Sequence, residues 1–71
     1  MGRVTELSAT SDQSFEDAIN VGVRRATSTL RGVESAWIKD MNVMVDDNGN
    51  ISAYKVNMAI TFILEEGQQP G

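Results

Sequence analysis

The stretch VDDNGNISAYKVNMAITFIL, residues 45–64, decides the fold. Tyr54, Val56, Met58, Ile60, Phe62 and Leu64 alternate strictly with other residues. Successive strand side chains point to opposite faces, so this is a strand with one dry face. The other face carries Ile51, Ala53, Lys55, Asn57, Ala59, Thr61 and Ile63, a mixed set. Just upstream, Asp46-Asp47-Asn48-Gly49-Asn50 is a hairpin signal. It permits a two-residue Asn48-Gly49 turn that pairs Asp47 with Asn50. It equally permits a three-residue loop, with Gly49 left-handed, that pairs Asp46 with Asn50. A one-residue change of register moves every side chain of one strand to the other face.

The hairpin predicts strands over 33–46 and 50–65. In the first, strict alternation puts Ser35, Trp37, Lys39, Met41, Val43 and Val45 on one face. Glu34, Ala36, Ile38, Asp40, Asn42 and Met44 take the other. Neither set is cleanly apolar, which suggests that both faces of this strand meet something.

Further upstream, Phe15, Ala18, Ile19, Val23, Ala26 and Leu30 recur at helical spacing and predict a helix over 15–31. Ser14 with Asp17 three residues on forms a weak capping box. Arg31 is expected in the last turn, where the helix dipole favours a cation, and Gly32 is the stop signal. Gly22 inside the helix costs about 1 kcal/mol relative to Ala, which a close backbone approach would explain. Residues 3–9 read as a short strand, and Thr10-Ser11-Asp12-Gln13 as a polar turn.

The architecture is therefore α+β: strand–helix–strand–strand, with a three-stranded antiparallel sheet wrapped around one helix. A single domain is expected over 3–66, with a polar flexible tail over 67–71. The sheet face away from the helix is left open and carries Ala59 and Ile63, joined by Trp37 if the three-residue loop forms. An exposed apolar patch of this kind usually marks a contact site.

Composition narrows the function. The chain has 71 residues, 41% of them hydrophobic and 23% charged, which argues against a disordered or fibrous protein. Ten acidic against six basic residues leave a net charge of −4, so a phosphate backbone would be repelled and nucleic-acid binding is not expected. The absence of His and Cys removes disulfides, the usual zinc ligands, thiol chemistry and the commonest general base. No apolar run reaches the roughly 20 residues of a membrane helix. No signal peptide is visible, so a cytoplasmic location is expected. A domain this small is marginal alone, and without disulfides or good metal ligands oligomerisation is the remaining remedy.

At this point the sequence resembles the dodecins over about residues 3–66. The resemblance rests on Ser11-Asp12-Gln13-Ser14-Phe15-Glu16-Asp17-Ala18-Ile19 entering the helix. It rests equally on Arg25-Ala26-Thr27-Ser28-Thr29-Leu30-Arg31 leaving it, and on Tyr54-Lys55-Val56-Asn57-Met58 and Phe62-Ile63-Leu64-Glu65 in the last strand. It implies a homo-oligomer of twelve copies forming a hollow sphere. It also implies a non-enzymatic role in storing or sequestering a small planar or phosphorylated ligand. Flavin (riboflavin or flavin mononucleotide) is the default, with coenzyme A or ions in other members.

Flavin-binding members carry a stacking Trp in a Trp-Phe-Glu-Val type segment. Aligned from Leu30-Arg31, that segment falls on Ser35-Ala36-Trp37-Ile38, so Ser35 stands at the stacking position. The flavin-contacting Gln falls on Lys55, and the hairpin carries one extra residue between Asp46 and Gly49. Trp37, two residues from Ser35 on the same face, could supply a displaced stacking plane.

The candidate ligand-binding residues are thus Ser35, Trp37, Lys55 and Asn57. Each has a plainer reading. Trp37 could anchor a subunit interface, and Lys55 and Asn57 could be interface-paired polar residues. The Asp46–Asn50 cluster lacks the spacing of a calcium loop and reads as a turn. Asp40 and Glu34 share a strand face, but nothing beside them supplies a nucleophile. Ser35 is the one plausible nucleophile on the open face. The alternative to a flavin store is a structural shell whose pocket is closed by side chains, or a coenzyme A or ion binder.

Overall fold

The computed structural model describes residues 2–63. Strand β1 (Gly2–Ser11), helix α1 (Phe15–Thr29), strand β2 (Val33–Val45) and strand β3 (Ile51–Ile63) follow in that order. The sheet order is β1-β3-β2, and β3 pairs antiparallel with both neighbours. The expected tail over 67–71, and Leu64 and Glu65 of the expected last strand, lie outside the described residues.

The alternating strand takes the central place because it alone must be dry along one whole face. Val56, Met58 and Ile60 of β3 are fully buried, against Ala18 and Ala26 of α1. Phe15, Ile19, Val23 and Leu30 of the helix stripe pack around them. Phe15 meets Tyr54 edge to face, with ring centroids 5.1 Å apart. Gly22 is explained by contact: a Cβ there would lie 2.7 Å from Met58 Cε and 3.2 Å from Ala9 Cβ. The helix therefore lies close on the sheet.

Two boundaries differ from the sequence reading by more than one residue. Strand β1 runs on through Thr10 and Ser11, because pairing to Lys55 and Tyr54 continues there. Ser11 is buried and organises the turn: its hydroxyl donates to Asp17 at 2.6 Å and accepts from the Gln13 N–H at 2.8 Å. Ser14 caps the helix by accepting from the Asp17 N–H at 3.0 Å. Asp17 answers through Ser11 rather than by reaching back to Ser14. At the other end the helix stops at Thr29 and Leu30 is extended, so Arg31 lies past the last turn rather than in it. The Thr27, Ser28 and Thr29 hydroxyls all donate to carbonyls three or four residues back, the competition that makes such residues poor helix interiors. Gly32 then turns the chain at φ 68°.

The hairpin takes the three-residue loop. Asp46 N–H donates to the Asn50 carbonyl at 2.8 Å, Gly49 N–H to the Asp46 carbonyl at 3.0 Å, and Gly49 sits at φ 84°. The Asp46 carboxylate accepts from the Asn48 and Asn50 N–H groups, each at 2.9 Å. The Asp46–Asn50 cluster is therefore a self-capped turn.

Strict alternation fails in β2. The register shifts at Glu34, at Lys39, and at Ser52 of the partner strand. Each shift leaves one extra residue, as in a β-bulge. Those at Lys39 and Ser52 lie on opposite strands and cancel, so Trp37 stays opposite Ala59 as the three-residue loop requires. Between them the faces are exchanged. Met41 and Val43 pair with Val56 and Tyr54 on the helix side, not with the Trp37 set. Asp40, Asn42 and Met44 pair with Asn57, Lys55 and Ala53 on the open side.

A 15-residue helix is about 22 Å long and a 13-residue strand about 43 Å. The outer half of the hairpin thus projects past the helix, and the molecule measures 57 × 18 × 14 Å. Met41, Met44, Val45 and Ile51 on that half are exposed, as are Val4 and Trp37 on the open face.

Candidate functional site

The open face is a grid of cross-strand rows with β3 in the middle. Val4, Thr61 and Ser35 form one row; Glu6, Ala59 and Trp37 the next. Ser8, Asn57 and Asp40 follow, then Thr10, Lys55 and Asn42. Rows on one face are roughly 6.6 Å apart, twice the strand rise. All four expected ligand residues therefore share this face, in four successive rows.

They are not equally placed to act together. Val4, Trp37, Ala59 and Thr61 line a shallow depression of about 300 Å³. Trp37 is 70% exposed and forms its wall, while Ala59, carrying only a methyl group, leaves the floor low. Ser35 stands one row away, beside Thr61. Lys55 lies two rows from Trp37, roughly 13 Å along the strand, and outside the depression.

Asn57 is engaged within the sheet. Its Oδ1 accepts from the Ser8 hydroxyl, and its Nδ2 donates to Asp40 Oδ1 at 2.6 Å. Both ends of the amide are thus tied to neighbouring strands. Asp40 works in this row and not with Glu34, which is the extra residue of the first register shift.

Glu6 and Lys39 did not stand out as site residues in the sequence. Lys39 is the extra residue of the second register shift, and its Nζ reaches across β3 to Glu6 Oε2 at 2.7 Å. The hydrogen bond and charge of Glu6 hold the Lys39 ammonium above the ordinary lysine range. Neither residue lines the depression, but Glu6 stands in the Ala59–Trp37 row that does. Alternation already put Lys39 on the Trp37 face; its partner was hidden, because only the pairing of β1 with β3 sets Glu6 beside Ala59. Val4 was equally hidden, since Val4 and Leu7 do not alternate and only pairing with Thr61 assigns Val4 to the open face.

Among the described residues no three acidic, His or Cys side chains gather as a metal set. No described helix is long and apolar enough to cross a membrane.

The Dodecin family model matches residues 2–65. The dodecin of Thermus thermophilus is 33% identical over 69 residues, covering 93% of this chain and 99% of that protein. The solved structure of dodecin from Streptomyces coelicolor superposes with a TM-score of 0.87 at 30% identity, covering 93% of each chain. A calcium-chelating immunodominant antigen of Mycobacterium tuberculosis, a calcium dodecin with a novel calcium-binding site, superposes with a TM-score of 0.80 at 25% identity, covering 100% of this chain and 99% of that one. The strand–helix–strand–strand order, the single covered sheet face and these likenesses agree, and the chain belongs to the dodecin family of small oligomeric ligand-binding proteins.

Proposed function

We propose that the protein is a homo-oligomeric store for a small planar ligand, a dodecamer by family resemblance. Copies would cover one another's open faces, with the ligand held against Trp37. Flavin is the ligand class the family suggests. The observation that carries the reading is Trp37 itself: a tryptophan 70% exposed over an alanine floor, beside Val4 and Thr61. An aromatic plane in that position is a stacking platform, and stacking contributes about 0.5–1.5 kcal/mol beyond the area buried. Trp37 would take over the stacking that Ser35, one row away, cannot supply. Lys55, two rows off, would reach only a long substituent of the ligand, and Asn57 would support the floor through its sheet contacts.

The test is titration of riboflavin into the purified protein, with particle mass measured on the same sample. Flavin fluorescence that falls to saturation supports storage. Unquenched flavin beside an intact particle would overturn it.

One observation favours a second reading, a shell without flavin. Asn57 is tied to Ser8 and Asp40, so its amide is not free to recognise a flavin edge. Trp37 would then be an interface anchor, and coenzyme A or an ion shared between copies would be the bound species. Protein purified without colour that still assembles would support this reading.

A further inference from the structure

The open face carries two lysines with different surroundings. Lys55 stands apart from the depression, while Lys39 lies two residues from Trp37 and is the nearer cation to the ring platform. Lys39 is already paired: Glu6 Oε2 holds its ammonium at 2.7 Å, and a ligand anion has to compete with that carboxylate. Glu6 belongs to the same row as Trp37, with only Ala59 between them. The pair therefore passes over the central strand at the edge of the depression. The floor beyond it offers little to an anion, since Asn57 Nδ2 is committed to Asp40, itself a carboxylate. A phosphate arriving here would meet two carboxylates, Glu6 and Asp40, and a cation already paired with the first.

We propose that Glu6 sets the charge of the ligand the Trp37 site accepts. By holding Lys39 across Ala59, it withholds the nearest cation, so the site takes an uncharged planar ring in preference to the phosphorylated form. Glu6 is a positioning residue here, acting through Lys39. The inference rests on the reading of Trp37 as a ligand platform. It deepens that reading by naming the ligand's charge class and the pair that determines it.

The probes are riboflavin and flavin mononucleotide, which share the ring and differ in one phosphate. Each is titrated into wild type, Glu6→Gln and Lys39→Met, with particle mass checked for all three. The readout is the ratio of the two affinities within each protein, which a general loss of structure does not move. Wild type favours riboflavin. Glu6→Gln frees Lys39 and moves the ratio toward the mononucleotide by about tenfold, an effect that shrinks in high salt. Lys39→Met leaves Glu6 unpaired and moves the ratio further toward riboflavin. A wild type that prefers the mononucleotide, or a Glu6→Gln ratio equal to wild type, overturns the role of Glu6 while the platform reading stands. An assembled wild type that binds neither flavin overturns both.

Discussion

Trp37 and Gly22 show two ways in which a single residue carries information about its surroundings. The Trp37 ring is placed outward by pairing with Ala59, and together with the exposed Val4 it makes an apolar patch of the kind that marks a contact site. Trp37→Ala is expected to weaken flavin binding about tenfold, or about 1.4 kcal/mol, measured by fluorescence titration. Unchanged affinity would move the platform elsewhere. Gly22 is fixed by contact instead. Alanine there gains about 1 kcal/mol in helix propensity but drives a methyl group into the buried Met58 and Ala9. Overpacking costs about 1–3 kcal/mol, so Gly22→Ala is expected to destabilise by about 1 kcal/mol in chemical denaturation.

The Lys39–Glu6 pair responds to pH in one direction. Its lysine is raised by the pairing, so the stabilisation is fully present below the pKa of the unfolded lysine. It is lost as pH rises through the higher folded value. The difference in denaturation midpoint between wild type and Lys39→Met should therefore stay constant through neutral pH and close only in strongly alkaline buffer.

Among the elements, helix α1 was the most legible in sequence, because its stripe, cap and stop residues agree. Its end was misjudged by a residue or two, since the Thr27-Ser28-Thr29 hydroxyls take helix carbonyls and Arg31 falls beyond them. Strand β3 was legible for a different reason: its alternation is uninterrupted from Tyr54 to Phe62, so burial alone selects its inner face. Strand β2 was not. Its sequence looks irregular because the register shifts at Glu34 and Lys39, and at Ser52 opposite, exchange faces midway. A bulge is set by cross-strand pairing, which one strand's pattern does not encode.

The hairpin turn was narrowed to two loops by sequence, and Asp46 decides between them by accepting from Asn48 and Asn50. Asp46→Ala removes both acceptor contacts and is expected to cost about 1 kcal/mol, read as a lower denaturation midpoint.

At the scale of the whole molecule, one sheet face is covered by the helix and the other is covered by nothing among the described residues. The four expected ligand residues were correctly assigned to one face from the loop alternative that formed. Their separation into a Trp37 depression and a remote Lys55 was not legible, because it depends on the floor residue Ala59 and on partners from β1. Exposed apolar residues also line the projecting hairpin, where Val45 and Ile51 are 61% and 52% exposed and pair with each other. Burial of such a surface between copies is the remedy available to a small domain without disulfides. Ile51→Lys is expected to shift the particle toward smaller species by native mass spectrometry, with flavin binding lost in proportion.

The central claim is that copies of the chain cover the open face and hold a planar ligand at Trp37. Trp37 is the only tryptophan in the sequence, so its emission reports on this site alone. The most direct measurement is one titration of riboflavin that follows tryptophan and flavin emission together, on a particle of known mass. The account predicts a closed assembly in which both signals fall and saturate at the same stoichiometry. A monomer, or an assembly whose flavin and tryptophan emissions stay unchanged, would contradict it.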